Sequence, residues 1–364
     1  MKKILFSGYF GFDNSGDDAI LKAMVDDFKK LNIDIELKAF SNNPVKTEKI
    51  YDIKSADRFN LSHLIANLKE TDLFISGGGS LLQDVTSTRS LAYYLFLIFL
   101  AKILGKKVYV YANGIGPINK PFNRFMTKII LEKVDFISLR DKLSYDFVKK
   151  LKLKNKNIKV TADPVFSLEP ISDKKTEEIL AKEGIKISQN TIGICIREWK
   201  RAQDLKEKLA YVCDYLVEMG YDVLLVPFHM PRDNVYSMEL AKLCKNKDRI
   251  STITKTYKAQ ELMGIFRKCK LLLAMRLHSV IYAAVVNLPM VGLIYDPKVR
   301  AMVDELGISE YVDVETFTTD ELIDQVKKAL DNLDQRRLIL EKNTNKKKEK
   351  AKENISIALE LLNK

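Results

Sequence analysis

The chain has 364 residues, with 60 lysines and arginines against 48 aspartates and glutamates, a net charge of +12, three histidines and four cysteines. That length exceeds what one hydrophobic core usually serves, and a composition 46% hydrophobic and 30% charged excludes fibrous and disordered classes. Cys195, Cys213, Cys244 and Cys269 are scattered without metal spacing or a disulfide framework, and His63, His229 and His278 form no HxH or HExxH pair, so no metal is expected and a reducing cytoplasm fits best.

Met1-Lys2-Lys3 runs straight into an apolar strand, Ile4 to Phe10, so no cleavable leader is expected. A helix from about Asp17 to Leu31 and a strand from Asp34 to Phe40 follow, which makes the chain α/β from the outset. Between the first strand and helix lies Gly8-Tyr9-Phe10-Gly11-Phe12-Asp13-Asn14-Ser15-Gly16-Asp17-Asp18. It stands where a dinucleotide fingerprint would sit but lacks GxGxxG spacing, so no nicotinamide or flavin cofactor is expected. Its glycines allow close backbone approach, and Asn14 and Asp17 either contact a ligand or cap the helix.

The strand Leu73 to Ser76 leads into Gly77-Gly78-Gly79-Ser80-Leu81-Leu82-Gln83-Asp84. Successive backbone N–H groups there can cradle a phosphate or sugar hydroxyls, although the Gly-Lys-Ser/Thr of a P-loop is missing. Leu91 to Leu104 is apolar on all sides yet shorter than the ~20 residues of a bilayer span. A helix buried behind the sheet is expected, with an exposed docking helix for a lipid-linked substrate as the alternative. The strand Val108 to Ala112 ends in Asn113-Gly114-Ile115-Gly116-Pro117, a second glycine loop expected beside the first. Phe136 to Leu139 delivers Arg140-Asp141, and Ile158 to Thr161 is the next strand.

Pro164 to Ser172 is extended and proline-bearing and Asp173 to Lys186 is charged and helical, which marks a boundary. The alternation restarts with Thr191 to Ile196, Asp222 to Pro227, Leu271 to Met275 and Met290 to Ile294, before a helical stretch from Thr319 to Leu362. The expected architecture is α/β, two Rossmann-like domains facing across a cleft: 1–170, a linker 171–190, 191–318, and a C-terminal helical segment 319–364 that packs back across the domains.

Leu271 to Ser279, reading LLLAMRLHS, is the most informative segment. A buried parallel strand delivers Arg276 and His278 side by side to its carboxyl end, where ligands of open α/β sheets bind. His278 falls in the first turn of the following helix, where the dipole disfavours imidazolium and keeps a neutral base available. Arg197, after Thr191 to Ile196, and Arg140 also stand at strand ends. Together with Arg276 they would make a pocket for a multiply charged anion, or each would serve an ordinary ion pair. His229, just after Val226-Pro227-Phe228, either lines the site or is structural.

The net charge suggests a polyanionic partner: nucleic acid, an anionic membrane face or a phosphorylated substrate. Lys346 to Lys352 (KKKEKAK) reads as a solvated helix face, or as a surface that holds the chain near anionic lipid. No interleaved aromatics or nucleic-acid module accompany the charge, so nucleic acid is not expected.

Taken in order, GYFGFDNSGDDAIL, SGGGSLLQD, NGIGP, LRD, ADPVF, MRLHS and YDPKV resemble the polysaccharide pyruvyltransferases, and within them the CsaB type of bacterial cell-wall enzymes. The resemblance runs from about Gly8 to Leu306, with Asp18 where many relatives carry glutamate. It implies a glycosyltransferase-B-like fold and transfer of the enolpyruvyl group of phosphoenolpyruvate onto two hydroxyls of a sugar, giving a pyruvate ketal and phosphate. The implied acceptor is N-acetylmannosamine in a lipid-diphosphate-linked precursor of a secondary cell-wall polymer, whose ketals anchor surface-layer proteins.

Phosphoenolpyruvate is then the donor substrate and no cofactor is implied. Cytoplasmic placement is expected, either free or in peripheral contact with the inner membrane face. Catalytic residues are expected at His278, Arg276 and Asp17. Substrate contacts are expected at Arg197, Arg140, Asn14, Gly77, Gly78, Gly79, Ser80, Gln83, Asn113, Gly114, Gly116, Ser279 and Lys298. A nucleotide-sugar glycosyltransferase of the same fold, which would release UDP or GDP, and a non-catalytic module binding anionic glycans or lipid headgroups are the alternatives.

Overall fold

The computed structural model describes residues 1–85 and 87–363. Two compact units are present: Met1–Ser167 with the C-terminal residues from Lys347, and Leu168–Lys346. In the first, β1 (Lys2–Ser7), α1 (Ser15–Lys29), β2 (Ile35–Ser41), α2 (Pro44–Tyr51), β3 (Lys54–Asp57), α3 (Leu61–Glu70) and β4 (Leu73–Gly77) follow in turn. They are succeeded by α4 (Thr88–Ile103), β5 (Lys107–Asn113), α5 (Pro121–Leu131), β6 (Phe136–Leu139), α6 (Lys142–Lys150) and β7 (Ile158–Val160). The strands form one parallel sheet in the order β3-β2-β1-β4-β5-β6-β7.

The second unit opens with α7 (Asp173–Lys182), β8 (Thr191–Cys195), α8 (Leu205–Glu218), β9 (Asp222–Leu225), α9 (Arg232–Leu243), β10 (Ile250–Thr252) and α10 (Ala259–Arg267). It continues with β11 (Leu271–Ala274), α11 (Leu277–Val285), β12 (Met290–Ile294), α12 (Pro297–Glu305), β13 (Tyr311–Asp313) and α13 (Thr319–Asp331). Its parallel sheet runs β10-β9-β8-β11-β12-β13. The last helix, α14 (Leu333–Asn363), is shared: residues up to Lys346 belong to the second unit and the rest to the first.

The apolar runs form strands because helices cover both sheet faces, so every residue of β4, β8, β11 and β12 is buried. Asn14, Asn43, Asn60, Ser87 and Asp141 start their helices by accepting a backbone N–H on the side chain. The helical tail is tied into the first unit by the fully buried Asn354. It accepts from Ser138 Oγ at 2.7 Å and Thr161 Oγ1 at 2.8 Å and donates to the Ala162 carbonyl at 3.1 Å.

Three findings change the expected outline. The strands β3, β10 and β13 complete the sheets but are short edge strands without apolar runs. The stretch 171–190, expected as a linker with a helix from Asp173 to Lys186, lies within the second unit, and its helix α7 packs so closely on α10 that a Cβ on Gly264 would lie 2.5 Å from Thr176 Oγ1. Finally, α4 is not enclosed on all sides: Leu91, Tyr94, Leu95 and Ile98 are buried, whereas Phe96, Phe99 and Ile103 are exposed. No described helix is long and apolar enough to cross a membrane.

Candidate active site

In each unit the strand order reverses beside its first strand, between β1 and β4 and between β8 and β11. Loops diverge at such points and leave a crevice at the carboxyl ends of the strands.

In the first unit, α1 begins there. Asn14 accepts the Gly16 N–H at 3.1 Å, so its side chain is occupied as a helix cap. Asp17 lies in the first turn, half-buried. Burial pushes its carboxyl up to about 7, the charge of Asp18 adds to this, and Arg140 pulls the other way. The loop after β4 closes on it. Gly78 and Gly79 have φ of +69° and +72°, and a Cβ on Gly79 would stand 2.8 Å from Asp17 Oδ1, so glycine is required by both conformation and space.

The two glycine loops are zipped together rather than opened toward a ligand. Gly78 N–H donates to Tyr111 O, Gly114 N–H to Gly79 O and Gly116 N–H to Leu82 O, each at 2.8 Å. These amides are therefore not part of an anion cradle. Gly77 is a packing position, where a Cβ would stand 3.1 Å from both Ile75 Cγ2 and Met24 Sδ. Gln83 accepts the Val85 N–H at 2.7 Å and so shapes its own loop.

Arg140 is buried, donating to Asp163 Oδ2 at 2.8 Å and to Ser80 Oγ at 2.9 Å, with Gly114 packed against its guanidinium. Its charge is offset inside the unit, and Ser80 serves to hold it. Asn113, at the end of β5, is fully buried, and neither Oδ1 nor Nδ2 has a hydrogen-bond partner among the described residues. A buried amide in that condition costs about 1–3 kcal/mol unless something polar meets it.

Arg58, at the end of β3, completes the surroundings of Asp17. It is buried, donates to Gly8 O at 2.9 Å and to Tyr94 OH at 3.3 Å, and lies 4.7 Å from the ring centre of Tyr93 and 5.1 Å from that of Phe12.

In the second unit, Arg276 is the residue from which α11 springs. Its Nε donates to Asp233 Oδ2 at 2.6 Å and its Nη2 to Asp233 Oδ1 at 2.5 Å, a two-pronged pair that takes up one edge of the guanidinium. Asp233, buried in the first turn of α9, also accepts the N–H groups of Phe228 at 3.3 Å and His229 at 3.0 Å. The expected free fork on Arg276 is thus half engaged.

His229 belongs to this group: burial, followed by the charge of Arg276, holds its imidazole below the usual range, and Arg197 adds to the effect. The Arg197 guanidinium lies 5.3 Å from the ring centre of Tyr295 and 6.0 Å from that of Trp199, which donates to Glu315 at 2.8 Å. His278 is the second residue of α11, its ring centre 6.2 Å from that of Tyr282. Ser279 is buried and donates to Arg276 O at 2.7 Å, which makes it a helix-start residue. Lys298 lies in the first turn of α12, its N–H on Asp296 Oδ1 at 2.7 Å. Among the described residues no group of three or more His, Cys, Asp or Glu is placed to hold a metal.

The sequence profile described as Polysaccharide pyruvyl transferase matches residues 14–297, a span that contains the residues around Asp17 and around Arg276. The chain belongs to the polysaccharide pyruvyl transferase family. This transferase is 22% identical, over 92% of its length and 93% of the relative's, to the amylovoran biosynthesis protein AmsJ of Erwinia amylovora.

Its fold is that of the glycosyltransferase-B type of two-unit proteins. It resembles MnaA of S. aureus, solved with UDP, at a TM-score of 0.69 and 13% identity over 100% of this chain and 98% of that one. Similarity to the UDP-GlcNAc 2-epimerase of Methanocaldococcus jannaschii is close to this, at 0.65 and 14% over 91% and 93%. Sequence reasoning about this transferase missed Arg58 and Asp233. Neither stands in a motif, and the partners that identify them lie 36 and 43 residues away, at Tyr94 and Arg276.

Proposed function

We propose that this transferase moves the enolpyruvyl group of phosphoenolpyruvate onto two hydroxyls of a sugar, forming a pyruvate ketal and releasing phosphate. The observation that carries the reading is the strand-end group of the second unit. There Arg276, oriented by Asp233, stands with Arg197, a neutral His229 and His278 at the reversal of strand order, in a chain of this family. Arg276, with one guanidinium edge held by Asp233, and Arg197, set over the Tyr295 ring, suit a donor that carries both carboxylate and phosphate.

In the proposed chemistry His278 moves protons. A proton goes to the methylene carbon of the donor, C2 becomes electrophilic, and one sugar hydroxyl adds there. The second hydroxyl then displaces phosphate, so two C–O bonds form to C2 while its bond to the phosphate oxygen breaks. One hydroxyl proton replaces the one delivered to carbon and the other departs with phosphate. Asp17, whose carboxyl titrates near neutrality, takes a proton from an acceptor hydroxyl, and Asn113 offers its buried amide to the sugar.

The acceptor is N-acetylmannosamine of a lipid-diphosphate-linked cell-wall polymer precursor, in the manner of the CsaB type, used at the inner face of the cell membrane. No cofactor beyond the donor takes part. Purified protein, phosphoenolpyruvate and a synthetic lipid-diphosphate N-acetylmannosamine disaccharide test this, with phosphate release and acceptor mass as readouts. Phosphate release coupled to gain of a pyruvyl group is expected. Donor binding without turnover would move the proposal to another acceptor, and absence of donor binding would overturn it.

A further inference from the structure

Five large apolar side chains stand exposed on α4 and α5, two helices that pack against each other in the first unit. On α4 they are Phe96, Phe99 and Ile103, spaced i, i+3 and i+7, and on α5 they are Phe122 and Phe125, with exposure running from 40% at Phe99 to 71% at Phe122. Each helix is therefore apolar on two sides. Leu95 and Ile98 of α4 and Ile130 and Leu131 of α5 fill the core, while the phenylalanines face outward. Folding explains the inner stripe only, since helices of a globular domain need one apolar face. The starts of the two helices are pinned side by side, with Lys120 Nζ and Asn123 Nδ2 reaching Thr88 Oγ1 at 2.9 and 3.5 Å.

The charges within the two helices have one sign. Thr88–Ile103 and Pro121–Leu131 contain no acidic residue, but carry Arg89, Lys102, Arg124 and Lys128. Lys102 is paired with Asp135 at 2.7 Å. Asp84, the nearby carboxylate at the helix starts, is wrapped by the Asn119 and Lys120 N–H groups and by Asn123 Nδ2, between 2.7 and 3.0 Å. A second copy meeting this face through a two-fold axis would set cation against cation. Apolar side chains that can enter the acyl boundary, with cations along both helices and the one carboxylate at the far end of α5, Glu132, accepting the Lys154 N–H at 3.3 Å, match a negatively charged lipid surface.

We propose that the outer faces of α4 and α5 form a docking surface for an anionic lipid bilayer, with Phe96, Phe99, Ile103, Phe122 and Phe125 entering the interface and Arg89, Arg124 and Lys128 meeting the headgroups. The surface goes beyond the transfer chemistry and does not depend on it. Vesicles without donor or acceptor test it, so a failure here leaves the proposed reaction standing and the reverse is equally true.

The experiment is co-sedimentation of the full chain with phosphatidylcholine vesicles, with and without phosphatidylglycerol, at low and high salt. Binding that needs phosphatidylglycerol and weakens with salt is expected. Phe122→Ser with Phe125→Ser is expected to weaken it by at least roughly tenfold, and Arg124→Gln with Lys128→Gln by roughly tenfold or more. Both double variants should keep the thermal melt of the parent, which separates lost docking from lost folding.

Three outcomes would overturn the proposal. One is equal partition to both kinds of vesicle or to neither. Another is vesicle binding abolished by Lys346→Gln, Lys347→Gln and Lys348→Gln together while the phenylalanine variant binds normally. The third is a dimer in sedimentation velocity that the phenylalanine variant dissolves, which would give the face to a second copy.

Discussion

The two units share one strand order, β3-β2-β1-β4-β5-β6 in the first and β10-β9-β8-β11-β12-β13 in the second, yet the same topological position holds opposite chemistry. At the first, an aspartate is crowded by glycines and buried polar groups until its carboxyl is pushed up to about 7, and of the two arginines beside it Arg140 is paired with Asp163 while Arg58 is held by the Gly8 carbonyl and a cage of rings. At the second, Arg276 and Arg197 gather with two histidines, and Asp233 holds one edge of the Arg276 guanidinium in a two-pronged pair while no carboxylate is bonded to Arg197 among the described residues. Topology thus supplies a place where loops diverge, and the side chains there decide whether it suits hydroxyls or anions. On the proposed function the division is that between acceptor and donor.

The largest effect that would sharpen this contrast is expected from His278→Ala. Turnover should fall by roughly 10²- to 10⁴-fold, the usual worth of a positioned proton carrier. Donor binding measured by calorimetry should change little, because Arg197 and Arg276 remain. Loss of donor binding to the same extent as turnover would break the contrast by making His278 a binding residue.

Asp17 carries the next effect, and pH reveals it. The folded chain keeps the Asp17 proton up to about pH 7, whereas an unfolded aspartate releases it near pH 4. Its contribution to stability is therefore fully present below about pH 4 and is lost as the pH rises toward 7. Asp17→Asn abolishes that loss, so urea titrations should find the variant more stable than the parent at pH 8 by on the order of 2 kcal/mol and equal to it near pH 4. Its activity should drop at every pH, and the limb of the parent's rate profile near pH 7 should disappear.

The smallest effect is expected at Asn14. As a helix cap alone, Asn14→Ala should cost about 1 kcal/mol, read from the denaturation midpoint, with acceptor KM unchanged and Asn14→Ser restoring most of the stability. A rise in KM out of proportion to the stability change would return Asn14 to the ligand.

Much of the architecture was legible because the central strands are enclosed by helices and so read as unbroken apolar runs. LLLA of β11 and MVGLI of β12 are visible for that reason. KSAD of β3, IST of β10 and YVD of β13 escaped notice, because three or four residues at a sheet edge with at most one buried side chain leave no apolar run to read, although the edge strand β7 was still visible from Ile158 and Val160. The motif glycines were legible as requirements, but not their purpose. Only the folded chain shows that Gly79 makes room for Asp17 while Gly114 and Gly116 spend their N–H groups on the neighbouring loop.

By itself the sequence determined the α/β class, the positions of the strand-end motifs and, through their order, the family. Those are local properties, written in side-chain periodicity and in which residues follow a strand. The tertiary structure decided which charges are spent and which remain to act. Arg140 and Arg276 look alike in sequence, but one is buried against Asp163 and Ser80 and the other is aimed by a carboxylate 43 residues away. Pairing and desolvation depend on neighbours that only folding brings together, and they set the proton affinity of Asp17 and the reach of each arginine.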